Sequence, residues 1–286
     1  MPSLSAAAVN EPVSAVATKA RNPSTKSMIH HCEQIGEGYS IPSPFYSAAA
    51  RGIFRSSKET KRQQRRPRWD APKQRTNTMN IAIIGSGNIG SGLASAIGKT
   101  SHGVVLSDEK GGAEAAAKLK EAGVTVQAAD VATAIKQAEV VILATPYNAS
   151  LEVAKNNDFK GKIVVDLSNP VTEDFSALQV GHTTSAAEEI AKLVDAPVVK
   201  AFNTVFAQLY AGDLTLDGRK IQTFVASDDA DAKARVIALA NDTGFDARDA
   251  GGLGNARYLE PLGYMNISFG YMLGQGTNIA PAWIAA

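Results

Sequence analysis

The sequence predicts an α/β fold, a doubly wound and mostly parallel sheet with helices on both faces. Three observations carry this. Short, continuously apolar segments such as Val140-Val141-Ile142-Leu143 alternate with helix-like segments rich in Ala, Lys and Glu. Strands buried on both faces and joined by helical crossovers read this way. The first strand, Asn80-Ile81-Ala82-Ile83-Ile84, runs directly into Gly85-Ser86-Gly87-Asn88-Ile89-Gly90 and then into a helix. An acid, Asp108, follows the next strand, 18 residues beyond Gly90. Strand, G-x-G-x-x-G, helix and acid in this order are the fingerprint of a Rossmann-type dinucleotide-binding unit.

The three glycines have separate reasons. Gly85 lets the chain turn sharply off the strand, Gly87 lets the backbone approach a pyrophosphate, and Gly90 lets the helix pack closely. The phosphates then meet free N–H groups and the positive end of the helix dipole. Further helices are predicted over 89–99, 113–122, 130–137 and 185–194, with strands over 103–107, 124–126, 139–144, 162–166 and 197–202. Asp130 is an expected N-cap, and Ser185-Ala186-Ala187-Glu188 is a capping box. From Asn203 the pattern changes to a strand over 221–227, a helix over 229–243, a strand over 245–249 and a last helix over 253–273. Tyr258, Leu262, Met265, Phe269 and Met272 form a helical stripe on it, expected to pack on the protein's own sheet, with a dimer contact as the second use. Pro261 is expected to bend this helix, and Gly263, Gly270 and Gly274 to admit another backbone or a flat ligand.

Residues 1–78 are different material. They carry 13 Lys and Arg against five acids, a net +8, and the remaining residues therefore sum to −7. So basic and weakly apolar a segment cannot offset its ordering entropy, and it is expected to be disordered. A start at Met79 would make it an extended reading frame; an organelle transit peptide and an Arg62/Arg65/Arg66/Arg68 anionic-partner patch are the alternatives. The expected organisation is this extension, a dinucleotide-binding part over 79–202, and a C-terminal part over 203–286 that forms an acceptor site or dimer contact. The only cysteine, Cys32, lies in the extension, so residues 79–286 offer no disulfide or thiolate metal site. Their acidic balance excludes nucleic acid as a partner for the folded part, no apolar run is long enough to span a membrane, and a cytoplasmic location is expected.

In such sheets ligands bind at the carboxyl ends of the strands. Beyond the glycine loop, the candidates for the cofactor are therefore Ser107, Asp108 and Lys110 after the second strand, and Thr145, Pro146 and Tyr147 after the fourth. Asp108 would accept hydrogen bonds from ribose hydroxyls and repel a 2′-phosphate, favouring NAD over NADP. Lys110 would oppose that repulsion, and the alternative role for Asp108 is a helix N-cap. Asn169 and the Asn203-Thr204 pair follow the fifth and sixth strands.

Taken in order, the glycine loop, Ala144-Thr145-Pro146, Asp166-Leu167-Ser168-Asn169-Pro170, Ser185-Ala186-Ala187-Glu188, Val199-Lys200-Ala201-Phe202-Asn203-Thr204 and Asp249-Ala250-Gly251-Gly252-Leu253-Gly254-Asn255-Ala256-Arg257 resemble the coenzyme F420-dependent NADP oxidoreductase family. The resemblance implies hydride transfer between a nicotinamide and a flavin or deazaflavin such as F420, with no obligatory catalytic acid or base and no metal. It implies that Asn169, Asn203 and Thr204 line the acceptor pocket, and that Leu253, Asn255 and Arg257 close it. The family leans to NADP, whereas Asp108 and Glu109 lean to NAD, so a nucleotide held without a strong 2′-phosphate clamp is expected. His102 and His182 are read as surface or loop residues. The alternative functions are a nucleotide sensor without turnover and an imine-type reductase.

Overall fold

The computed structural model describes residues 78–284, and the expectations for the basic extension lie outside them. The sheet has six strands in the order β3-β2-β1-β4-β5-β6, all parallel. They are β1 (Asn80–Ile84), β2 (Gly103–Ser107), β3 (Gln127–Ala128), β4 (Val140–Leu143), β5 (Ile163–Asp166) and β6 (Val198–Lys200). The crossovers carry α1 (Asn88–Gly98), α2 (Ala113–Glu121), α3 (Val131–Gln137), α4 (Tyr147–Asn156) and α5 (Ala186–Ala191). The strand order reverses between β1 and β4, which is the ligand-binding switch point of a doubly wound sheet. The fold class is thus the one read from the sequence.

Two caps form as expected. The Asp130 carboxylate accepts from the Thr133 N–H at 2.9 Å, and the Ser185 hydroxyl accepts from Glu188 N–H at 3.2 Å while donating to the Glu188 carboxylate at 2.7 Å. Three details differ. The third strand lies at Gln127–Ala128 rather than over 124–126, because Val124 closes the turn after α2 by bonding back to Leu119. Helix α4 was not expected, since Asn148, Ser150 and Val153 weaken its helical signal, yet Pro146 starts it and Ala154 seats it on the sheet. His102 lies in the α1–β2 loop, as the loop reading had it, but is buried there, its ring accepting from the Met79 N–H at 3.2 Å.

After β6 come a 3₁₀ turn (Ala207–Ala211), a small hairpin of β7 (Thr215–Leu216) and β8 (Arg219–Lys220), and a parallel pair of β9 (Gln222–Val225) and β10 (Asp246–Asp249) around α6 (Ala230–Thr243). One apolar cluster joins Leu93 and Ile97 of α1 to Phe202, Tyr210, Val236 and Phe245. The last helix, α7 (Ala256–Ile267), runs on as a π-helical turn over Ser268–Met272, and Pro261 lies inside it.

Four of the five stripe residues on this helix face away from the sheet, and Leu262 is half-buried against Phe224, Ala226 and Leu259. Tyr258 is 73% exposed and Met265 51%, with Phe269 and Met272 also exposed. The buried face is Leu259, Glu260, Gly263 and Asn266 instead. Polar side chains with buried partners occupy the inner side of α7, so hydropathy alone pointed to the wrong face.

Candidate functional site

The first half of the site is built where β1 ends. Gly85 has φ +116°, and a Cβ there would stand 2.5 Å from the Ala144 carbonyl oxygen. A Cβ on Gly90 would lie 1.8 Å from the Gly85 carbonyl oxygen, so α1 packs onto the turn only because that Cβ is missing. Gly87 is the opposite case, with open space within 4 Å of the Cβ position. It is the N-cap of α1 in extended backbone and has no side-chain cap. The loop is therefore closed at its two outer glycines and open at the middle one. Exposed Gly87, Asn88 and Ile89 precede buried Gly90. Free helix N–H groups beside such a gap suit a pyrophosphate.

The loop is fixed by its neighbours. The Gly85 N–H donates to the Ser107 carbonyl at 2.8 Å, and the Ser91 hydroxyl to the Ser86 carbonyl at 2.7 Å. The Ser86 hydroxyl donates to the Asp108 carboxylate, whose other oxygen accepts from the N–H groups of Lys110 at 2.7 Å and Gly112 at 2.9 Å. The Ser86 bond, ahead of the backbone ones, holds the Asp108 carboxyl below its ordinary range. The N-cap of α2 is Gly112, so Asp108 organises the loop without capping the helix. A cavity of about 410 Å³ opens between this loop and α2, lined by Ser86, Gly87, Asn88, Asp108, Glu114 and Lys118. Lys110 is exposed and does not line the cavity, and Ser107 is buried with an unpartnered hydroxyl.

Thr145, Pro146 and Tyr147 carry the chain from β4 into α4. The Thr145 and Ser150 hydroxyls lie 2.8 Å apart, and Tyr147 is buried. Burial first, then the Glu189, Glu260 and Asp166 carboxylates, pushes the Tyr147 hydroxyl pKa up.

The second half lies beyond β5 and β6. The Asn203 amide donates to the Asn169 side-chain oxygen at 2.9 Å and to the Leu259 carbonyl at 2.8 Å, while the Asn169 amide donates to the Asn203 carbonyl at 2.8 Å. Helix α7 braces this pair: a Cβ on Gly263 would meet the Asn169 side-chain oxygen at 2.5 Å. The Asn266 amide holds the Thr204 carbonyl at 3.1 Å. Phe202, immediately before, has φ +61° with its ring fully buried. Such backbone costs on the order of 1–3 kcal/mol and persists only where its surroundings fix it. The Ser168 and Thr204 hydroxyls and the Asn203 side-chain oxygen are buried without partners.

Asn169, Asn203 and Thr204 are thus brought together. Leu253, Asn255 and Arg257 are engaged elsewhere. Leu253 is buried in an apolar cluster with Ala187 and Ile190, and Asn255 donates to the Ala250 carbonyl at 2.6 Å. Arg257 makes a two-pronged bond to Glu188 at 2.8 and 2.5 Å. None of the three bonds to the asparagine pair.

A buried charge cluster beneath this half was not singled out from sequence. Asp166 ends β5, Lys200 ends β6, and the two are register partners. The Lys200 ammonium lies 2.7 Å from Asp166 and 2.9 Å from Glu260 of α7, and all three side chains are at most 1% exposed. It also donates to the Ser168 carbonyl. Burial alone would lower the Lys200 pKa, but the two carboxylates outweigh it and hold the pKa above the usual lysine value. The available signal was a charged residue at the end of each of two fully apolar strands, since a charge so placed must be paired. Among the described residues no group of three or more His, Cys, Asp or Glu is arranged to hold a metal.

Comparison with known proteins decides the family. The family model for NADP oxidoreductase, coenzyme F420-dependent, matches residues 80–170. The F420-dependent NADP reductase of Methanocaldococcus jannaschii is 33% identical over 201 residues, a match spanning 64% of this chain and 89% of that enzyme. The chain belongs to the F420-dependent NADP oxidoreductase family. A solved structure from Arthrobacter sp. FB24, assigned as an F420-dependent NADP reductase, superposes with a TM-score of 0.61 at 29% identity, covering 70% of this chain and 96% of that one. Metalloreductase STEAP3 of Rattus norvegicus is 32% identical over 187 residues, 64% of this chain but only 36% of the relative. The chain therefore spans about a third of that metalloreductase. No helix among the described residues is long and apolar enough to cross a membrane.

Proposed function

We propose that this oxidoreductase transfers hydride between NADP(H) and a flavin or deazaflavin ring. The observation that carries the nucleotide half is the glycine loop, sterically closed at Gly85 and Gly90 and open only at Gly87. A bound reduced nicotinamide supplies the hydride. The remaining work falls to residues of the chain. The exposed N–H groups at the start of α1 bind the diphosphate, and Thr145, Pro146 and Tyr147 line the nicotinamide side. Ser168, Asn169, Asn203 and Thr204 form a braced wall against which a flat acceptor stacks with water excluded, the main requirement for hydride transfer. Residues 79–202 then form the nucleotide half and residues 203–286 the acceptor half. Leu253, Asn255 and Arg257 close the acceptor side indirectly, by holding the start of α7. The exposed face of α7 is the surface on which a second copy would pair.

The nucleotide is held without a strong 2′-phosphate clamp, because Asp108 and Glu114 oppose Lys118 in the adenosine cavity and Lys110 is exposed outside its lining. Titration of the full chain with NADPH and NADH, read by nicotinamide fluorescence, tests both statements. Binding of both with less than a tenfold preference, about 1.4 kcal/mol, supports the reading. A larger preference for NADPH removes the weak clamp, and no binding of either removes the nucleotide function. Binding without reduction of any flavin, deazaflavin or quinone would favour a sensor.

A further inference from the structure

We propose that the buried Lys200–Asp166–Glu260 cluster biases the site toward the oxidised nucleotide, acting as a negatively charged floor that favours a cationic nicotinamide. The inference rests on the nucleotide reading above. Two carboxylates surround one ammonium, and none of the three reaches solvent. The groups bonded to Glu260 are all donors: the Lys200 ammonium at 2.9 Å, the Ala186 N–H at 2.9 Å and the Ala187 N–H at 3.2 Å. Burial and the Asp166 carboxylate push the Glu260 carboxyl up, while the Lys200 ammonium and the Ala186 N–H oppose them, and three donors on its two oxygens fit the carboxylate. Asp166 is placed alike, accepting from the Lys200 ammonium and from the Ser168 N–H at 2.9 Å. The cluster thus holds one net negative charge.

Its place in the fold gives that charge a use. Asp166 and Lys200 sit at the carboxyl ends of β5 and β6, on the β4 side of the switch point. The glycine loop and the adenosine cavity lie on the β1–β2 side. The two halves of a dinucleotide divide across this crevice, which puts the nicotinamide on the side of the cluster. Asp166 accepts from the Ser168 N–H and Lys200 donates to the Ser168 carbonyl, so the cluster lies beside the loop that leads to Asn169. Loss of hydride to the acceptor leaves the nicotinamide ring with a positive charge. A fixed negative charge in a poorly screened interior favours that state over the neutral, reduced one. Glu260 also takes the first two N–H groups of α5, and with both acids ionised the triad still carries one formal negative charge.

The test measures dissociation constants of the full chain for NADP⁺ and NADPH separately, in the wild type and in Glu260→Gln and Asp166→Asn. Each variant brings the cluster to neutrality with little change of volume. The expected result is a fall in NADP⁺ affinity relative to NADPH on the order of tenfold, about 30 mV in the potential of the bound two-electron couple. Equal changes in both constants would overturn the proposal, because loss of packing affects both nucleotides alike. The wild type supplies a check that needs no variant: it should bind NADP⁺ at least as tightly as NADPH, and a tenfold preference for NADPH would overturn the proposal even if both variants fail to fold. Failure of the wild type to bind either nucleotide would overturn the nucleotide reading and this inference together.

Discussion

Replacing Gly87 with alanine separates binding from folding. The residue sits at φ −66° and ψ −173°, a region open to any L-residue, and its Cβ position has no atom within 4 Å. Alanine reduces the freedom of the unfolded chain, worth about 0.4–1 kcal/mol of stability. As the N-cap of α1 it is less favourable than glycine by a comparable amount. The two nearly cancel, so stability should change by no more than about 0.5 kcal/mol, or roughly 2 °C in Tm for a domain of this size. The space that makes alanine harmless to the fold is the space a diphosphate needs. Affinity for NADPH should fall by about 100-fold or more, near 2.7 kcal/mol. Thermal unfolding with and without nucleotide reads both effects: the apo transitions should coincide, and only the wild type should rise on adding NADPH. Gly90→Ala is the contrasting control. Its Cβ would overlap the Gly85 carbonyl, so it should lower stability by about 1–3 kcal/mol before any ligand is added. Wild-type affinity in Gly87→Ala would refute the assignment of this loop.

Lys200→Met would leave Asp166 and Glu260 buried without their cation, and urea unfolding should show a loss of about 3–5 kcal/mol. In Gly263→Ala the new methyl would press on the Asn169 amide; kcat/KM for a flavin acceptor should fall by about tenfold or more, since sub-ångström positioning governs transfer, while the dissociation constant for NADPH stays nearly constant. The Asp174 carboxyl, held at about 2 by the Thr172 and Ser176 hydroxyls, lies below its ordinary value of 3.8. Its contribution to loop order is therefore complete above that value and lost only as pH falls through about 2, which a carboxyl-resonance titration would show as a midpoint shifted down from the ordinary one.

Much of the nucleotide half was legible because it depends on local rules. A βα turn with three glycines fixes its own backbone, and the apolar runs of β1, β4 and β5 are buried on both faces whatever surrounds them. The acceptor half was less legible because its contacts join distant parts of the chain. Asn169 meets Asn203 34 residues on, and Glu260 reaches Ala186 across 74. Helix α7 shows how this misleads. Periodicity selects Tyr258, Leu262, Met265, Phe269 and Met272 as the packed face, yet of these only Leu262 is half-buried, while Glu260, Gly263 and Asn266 are turned inward, each answering a specific group on β5, β6 or the loops after them. Hydropathy measures transfer from water and carries no record of a hydrogen-bond partner supplied elsewhere.

Asp108 marks the limit of spacing as a guide to the cofactor. Its distance from Gly90 matches a ribose-binding acid, but an ionised carboxylate offers about four acceptor sites. Three are taken by the Ser86 hydroxyl and the N–H groups of Lys110 and Gly112. The carboxylate has room for roughly one further bond, enough to touch a ribose and too little to grip both its hydroxyls. Its charge does not vanish through that use, because the same donors hold it ionised. A 2′-phosphate would therefore meet one fixed negative charge opposed by Lys118, and Lys118 is itself paired with Glu114 at 2.7 Å. With cation and anion so nearly balanced, the expected difference between NADPH and NADH in a binding titration is less than about tenfold.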